Sequence, residues 1–309
     1  MDLQLTIRSR VAAEGIGLHS GRPSKITLSP APADSGIVFR CADPHRTLIP
    51  ARPETVVDSR FATTLGVNGT RVRTVEHLMA AAAALGIDNL LVEVEGEEIP
   101  AMDGSAEPFV SLLYAAGKAT LVAPRHPLVI TRPIRVGDDA RWLQILPAED
   151  FRVSYTLDVD HPALGTQAAS FTCTEEVFVQ ELAPARTYGF LKDVGDLRKN
   201  GLAKGGSLEN TVVVGRRAVL NGSLRYRDEF VRHKILDLIG DLALLGRPVV
   251  GHVVARNAGH GLNHQLVNAI AEAFASELVP AAATAPGTHA PTPLARVPGV
   301  GALPGIAAL

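Results

Sequence analysis

Cysteine is nearly missing from this chain. Cys41 and Cys173 are the only two among 309 residues, far apart and outside any CxxC pair. A disulfide framework and a thiolate zinc cluster are thereby excluded, and the count fits a reducing compartment. A surplus of positive charge is missing too: 30 Lys+Arg face 32 Asp+Glu, a formal net charge of −2. Binding along a phosphate backbone needs such a surplus, so no nucleic-acid partner is expected. No run reaches the ~18 uninterrupted apolar residues that a membrane span requires. The most apolar stretch, residues 79–85, is short and Ala-rich. Nor does MDLQLTIRSR place a basic segment before an apolar one, as a secretory signal would. The expectation is a soluble, cytoplasmic protein with no transmembrane segment.

Apolar residues make up 46% of the chain, enough to build a packed core. At roughly 150 residues per domain the length suggests about two domains. Residues 3–11 (LQLTIRSRV) alternate apolar and polar, the period of a half-buried strand. Shorter strands are expected over 24–30 and 35–40, broken by Pro and Gly. At 74–85 the pattern turns helical, with Thr74 the expected N-cap and Gly86 the stop. A strand at 89–94 and a helix at 105–116, capped by Ser105, follow. The second half runs in the same order. Strands are expected at 127–136, 141–147 and 152–158, a long helix at 227–245, a strand at 249–255 and an amphipathic helix at 263–278. No residue-level repeat accompanies this repeated order. The predicted class is α+β, two domains of similar layout, each a small sheet packed with helices. They span 1–124 and 125–279, and 280–309 is a Pro/Gly/Ala-rich tail expected to be mobile.

Three segments carry residues suited to chemistry. In TVEHLMAA, Glu76 adjoins His77 in the opening turn of a helix. A histidine there is commonly a core or cap-proximal residue, but hydrolytic metal sites use this pairing when a ligand needs a base beside it. In VRHKILDLIGDLALL, His233, Asp237 and Asp241 recur every four residues and so form one line along a helix. His233 and Asp237 at i,i+4 can chelate one ion or form a plain ion pair. Together the helices offer two imidazoles and a carboxylate, the ligand set of a catalytic zinc site with an open position. The site would then lie between the domains, a common place for pockets. Third, His260 in AGHGL and His19 in GIGLHSG have glycine neighbours, which suggests tight turns that expose the imidazole, either for chemistry or merely to solvent. GIGLHSG and GLAKGGS are both Gly-rich, but neither is a Walker or dinucleotide fingerprint. His252 and His264 read as structural or surface residues.

Seven segments occur in order, within a likeness that runs from about residue 3 to about residue 275: GIGLHSG, TVEHLMAA, NLLVEVEGEEIPAMDGSAEPFV, ARTYGF, GLAKGGS, DEFVRHKILDLIGDLALLG and AGHGLNHQL. This set resembles the UDP-3-O-acyl-N-acetylglucosamine deacetylase family, the zinc amidases of lipid A biosynthesis in Gram-negative bacteria. The resemblance implies one Zn2+ per chain, held by His77, His233 and Asp237. It implies Glu76 as general base, and His260 as cationic general acid oriented by Asp241. Thr187 and Lys234 would stabilise the oxyanion. It further implies two like-built α+β domains packed face to face, with the active site at their interface. Leu18, Leu208 and Val213 match the lining of an apolar passage for the acyl chain, and Phe61 matches across a gap. His19, Arg141, Tyr188 and Phe190 complete the implied substrate-binding set.

The implied reaction hydrolyses the 2-acetamido group of UDP-3-O-(3-hydroxyacyl)-N-acetylglucosamine to the free amine plus acetate. The implied partner is that small molecule, a UDP-linked acylated amino sugar, and a monomer is expected. Some positions depart from the family pattern. Arg141 replaces a common Lys at a nucleotide-diphosphate contact, Val159 a common aromatic near the uracil, and Tyr188 a common Phe. Two other readings stay open on the sequence. One is a zinc amidohydrolase for a different acylated sugar. The other is an inactive sugar-nucleotide-binding protein, which would have no need of Glu76, the three ligands and His260 together.

Overall fold

The alternation at the start of the chain makes two strands rather than one. Leu3–Ile7 pairs with Lys118–Pro124. The backbone then turns aside, because Arg8 and Ser9 donate to the carbonyls of Gly117 and Ala116, before a second strand begins at Val11. These features belong to a computed structural model that describes residues 2–278. The tail expected from residue 280 lies outside the described residues.

The architecture is α+β. Strands β1 (Val11–Ile16), β2 (Pro23–Pro30), β3 (Ile37–Cys41), β4 (Leu48–Pro50) and β5 (Leu90–Glu95) form one sheet in the order β1-β2-β5-β3-β4. The last strand enters the middle, antiparallel to β2 and parallel to β3. The second sheet contains β6 (Ile134–Gly137), β7 (Trp142–Leu146), β8 (Phe151–Val159), β9 (Gly165–Thr172) and β10 (Val249–Arg256). Its order is β6-β7-β10-β8-β9, with β10 antiparallel to β7 and parallel to β8. Leu128–Val129 adds a short parallel strand along the start of β10. The two halves therefore repeat one strand order with unlike sequences.

Helices α1 (Glu76–Ala84) and α2 (Glu107–Ala116) belong to the first half, α3 (Glu229–Leu242) and α4 (His260–Ala273) to the second. In β10 the buried and half-buried residues alternate strictly, the mark of a strand covered on one face. By contrast, α1 is buried from Glu76 to Ala82, and α3 buries residues around its whole circumference. A helix apolar on all sides must be covered on all sides, and α1 and α3 cover each other. Gly240 permits the close approach: a Cβ there would lie 2.1 Å from the carbonyl oxygen of Glu76. Ile235, Leu236, Leu238, Ile239 and Leu242 sink into the same core, each burial contributing about 1.5–3 kcal/mol.

Several sequence expectations are corrected. Thr74 does not cap α1. Its φ of +58° turns it away from the helix start, Val75 takes the cap position, and the Thr74 hydroxyl donates to Glu98 instead. Ser105 does meet the α2 terminus, accepting from Glu107 N at 3.2 Å, but the helix begins at Glu107 rather than at residue 105. The strand expected at 127–136 divides into Leu128–Val129 and β6. The helix expected at 227–245 is α3 followed by a 3-10 turn, Ala243–Leu245. The final helix starts at His260, three residues early, and ends at Ala273. The helix Leu191–Lys199, with apolar residues at 191, 194 and 197, and the strands Gly165–Thr172 and Lys118–Pro124 lie outside the elements expected from the sequence. Among the described residues, no helix is long and apolar enough to cross a membrane.

Candidate active site

The N-terminal end of α1 and one side of α3 bring the candidate residues together. Glu76 and His77 occupy the first two positions of α1. The i,i+4 spacing on α3 directs His233 and Asp237 to one side. A cavity of about 270 Å3 opens there, lined by Leu18, Phe61, Thr74, Glu76, His77, Thr187, Tyr188, His233, Lys234, Asp237 and His260, with Ser59 and Gly259. A larger cleft of about 710 Å3 lies at the opposite ends of the same helices, beside Ala83 and Leu244. None of the candidate catalytic or metal-binding residues lines it.

One ligand atom each from His77, His233 and Asp237 lie within 4.8 Å of one another. Asp237 Oδ1 is 3.5 Å from His77 Nε2 and 3.3 Å from His233 Nε2. The His233 Nδ1 faces the carbonyl of Ala185 at 3.0 Å. A carbonyl only accepts, so Nδ1 carries the proton and Nε2 turns a lone pair inward. Burial pushes His233 down to about 4 despite Asp237, so the ring is neutral. Burial disfavours the charge on Asp237, yet the neighbouring Lys234 ammonium helps to hold its carboxyl well below the usual range. Asp237 Oδ1 is nonetheless buried with no hydrogen-bond donor. The bare Nε2 of His233 and the Oδ1 of Asp237 repel as they converge, and a cation between them reverses the sign. A tetrahedron with zinc bonds of about 2.0–2.1 Å has edges of roughly 3.3–3.4 Å, close to both measured separations. These residues fit a zinc ion.

Around this triad stands the remaining machinery. Glu76 Oε1 lies 3.8 Å from His260 Nε2. Burial raises Glu76 above the ordinary carboxylate value, although His260 and His77 oppose the rise. His260 is 8% exposed, which corrects the expectation of a solvent-facing turn. As the first residue of α4 it meets the positive end of a helix, and burial also disfavours its charge. Its Nδ1 is 2.8 Å from Asp241 Oδ2, and against burial that carboxylate, with Glu76 and Asp237 nearby, raises His260 to about 9. Lys234 donates to Asp237 Oδ2 at 2.8 Å; burial works against its charge, but Asp237 keeps it protonated. Thr187 is tied down from two sides: its N–H donates to Gly104, and its carbonyl accepts from Val212. Beside it, Arg186 makes a two-pronged pair with the fully buried Glu229, at 2.8 and 3.2 Å.

The proposed substrate contacts divide. Leu18, Phe61 and Tyr188 line the cavity, and Phe61 is 62% exposed at its mouth. Leu208 and Val213 do not line it, and Leu208 is 52% exposed. Phe190 sits outside it, edge-on to Tyr188 and to His161. Arg141 lies on the exposed β6–β7 turn, where its N–H donates to Asp138. His19 is buried rather than displayed, because the backbone N–H groups of His19 and Ser20 both donate to the carboxylate of Glu98. The two Gly-rich loops seen in the sequence clasp each other: Gly205 donates to Leu18, and Lys204 to His19.

Residues to which the sequence assigned no role include Thr63, Glu98, Glu229 and Arg186, the last three lying within the quoted segments. All four act through local bonds to segments distant in sequence, so periodicity carries no trace of them. His264 is likewise buried, and it faces Thr63 and Asp241.

Comparison with known proteins accords with this geometry. The family model described as UDP-3-O-acyl N-acetylglycosamine deacetylase matches residues 4–272. A UDP-3-O-acyl-N-acetylglucosamine deacetylase of Myxococcus xanthus is 49% identical over 281 residues, covering 90% of each chain. Another from Syntrophotalea carbinolica is 48% identical over 272 residues, covering 87% of this chain and 88% of that protein. A third, from Oleidesulfovibrio alaskensis, is 48% identical over 272 residues, 87% of this chain and 89% of its own. With the match running through both sheets and every element of the site, the chain belongs to the UDP-3-O-acyl N-acetylglycosamine deacetylase family.

Proposed function

We propose that this protein is a cytoplasmic, monomeric zinc amidase. It hydrolyses the 2-acetamido group of UDP-3-O-(3-hydroxyacyl)-N-acetylglucosamine to the free amine plus acetate, a step of lipid A biosynthesis. One observation carries the reading: ligand atoms of His77, His233 and Asp237 converge within 4.8 Å of one another beside the buried Glu76 carboxylate and the buried His260 imidazole. His77, His233 and Asp237 would hold one zinc ion, which when bound acidifies water and polarises a carbonyl.

The chain's own residues do the rest. Glu76, with its raised proton affinity, takes the proton from the attacking water. As the carbonyl becomes tetrahedral, charge gathers on its oxygen, and Lys234 with Thr187 meets that charge in a site shielded from bulk water. Collapse of the adduct breaks the C–N bond, and the departing nitrogen takes a proton from His260. An amide nitrogen leaves poorly as an anion, so this proton transfer is required. Leu18 and Phe61 at the cavity mouth would meet the acyl chain. The repeated strand order supports a division into two units after Pro124, with the site built from both.

Metal analysis together with acetate release from the purified protein tests the reading. The expected result is one zinc per chain, with kcat/KM far higher on the 3-O-acylated substrate than on the UDP-sugar lacking that chain. Absence of acetate release from the acylated substrate by zinc-loaded protein would overturn it.

A further inference from the structure

Thr63 lies behind the acid-base pair, fully buried, and bonds toward both members without lining the cavity. Its backbone N–H donates to Glu76 Oε2 at 3.1 Å, leaving Oε1 as the oxygen that faces His260. Its hydroxyl is 2.5 Å from Asp241 Oδ1 and 2.8 Å from His264 Nε2. A hydroxyl has one proton to donate, and an ionised carboxylate only accepts. Thr63 therefore donates to Asp241 and accepts from His264, which must carry its proton on Nε2. The buried Nδ1 of His264 has no partner, as this tautomer of a neutral ring leaves it a bare lone pair. Burial holds His264 below the ordinary histidine value, so the ring is neutral. On the other side of Asp241, Oδ2 takes both His260 Nδ1 and Asn263 Nδ2 at 2.8 Å.

We propose that Thr63 is a positioning residue for the acid-base pair. Its hydroxyl, held by His264, sets the rotation of Asp241 that presents Oδ2 to His260, while its N–H sets the rotation of Glu76. A carboxylate turns about a broad terminal torsion. Without the anchor on Oδ1, Asp241 swings, and the imidazole that depends on it loses its aim. This inference rests on the reading of Glu76 and His260 as base and acid.

Thr63→Val tests it, because the variant keeps the N–H and the shape and removes only the hydroxyl. The expected result is a fall in kcat of roughly 10- to 100-fold, the scale of a small misplacement at a reacting centre. KM and zinc stoichiometry should hold, and Thr63→Ser should restore kcat to within about threefold. In an Asp241→Asn background, Thr63→Val should cost less than about threefold, since two residues that act through one path are not additive. His264→Leu gives an independent route if Thr63→Val folds poorly: it leaves the hydroxyl free to rotate and should lower kcat with KM unchanged. Unchanged kcat in Thr63→Val, or full multiplicative loss with Asp241→Asn, would overturn the proposal. Failure of the wild-type enzyme to release acetate would instead remove the reading beneath it, so the two failures are distinguishable.

Discussion

Two buried groups of opposite tendency face each other across the cavity, and each is set by its surroundings. Glu76 is raised by burial, so it accepts a proton more readily than a surface carboxylate. Glu76→Gln keeps the size and the bond from Thr63 N but removes the basic oxygen. We expect kcat to fall by about 10²–10⁴-fold, the usual worth of a general base, with zinc still bound. Steady-state kinetics beside metal analysis checks this, and an active, zinc-loaded variant would remove Glu76 from the mechanism. His260 is the converse case. Burial lowers its proton affinity; Asp241 above all, with Glu76 and Asp237, more than restores it, and the ring holds its proton up to about pH 9. In the ion-free protein its ring protons should therefore titrate near that value by NMR. Replacing Asp241 with Asn removes the favourable charge and leaves the burial, so the midpoint must move to lower pH. The alkaline limb of kcat/KM should move the same way. A midpoint that stays in place would show that another group sets the charge on His260.

Helix packing decides where these side chains meet. In an exposed helix, replacing Gly by Ala gains up to about 1 kcal/mol through propensity alone. Gly240 sits where that gain cannot be realised, because an added Cβ would lie 2.1 Å from the Glu76 carbonyl oxygen and within 3.0 Å of its Cα. Backbone on both sides leaves nothing flexible to move, so α1 and α3 must separate. Gly240→Ala should therefore destabilise the protein by about 1–3 kcal/mol net, the range for overpacked cores. Zinc binding should weaken as well, since His77 rides on α1 and Asp237 on α3. A melting curve with a zinc titration measures both effects. An unchanged melting temperature would mean the helices do not pack at this distance.

Taken together, the first half supplies Glu76 and His77, and the second supplies His233, Asp237 and His260. An ion bound by both halves adds its binding energy to the folded state only. At a thousandfold excess of zinc over Kd that is about 4 kcal/mol. A kilocalorie shifts melting by roughly 2–4 °C in a protein of this order of size, so chelation should lower the melting temperature by about 8 °C or more. Calorimetry with and without chelator tests this. His77→Ala should melt at one temperature in both conditions; a chelator effect that persists in that variant would place the ion elsewhere.

The candidate metal triad is legible in the primary sequence because its spacing is local: an adjacent Glu-His pair opens one helix, and an i,i+4 His-Asp pair lies on another. The repeated order of strands and helices was legible for the same reason, since hydrophobic period and Gly or Pro breaks are properties of short segments. Other features have no local signature. Thr74 reads as a helix cap, yet the buried carboxylate of Glu98 claims its hydroxyl and bends its backbone to a positive φ. His260 reads as an exposed turn, yet the neighbouring Asp241, nineteen positions earlier, draws it inward to open α4. Thr63 reads as nothing at all, and its meaning comes from partners 13, 178 and 201 residues away. The proposed ligand set thus follows from spacing along a helix. Protonation state and orientation follow from burial and from charges that only the packed chain brings within 3 Å.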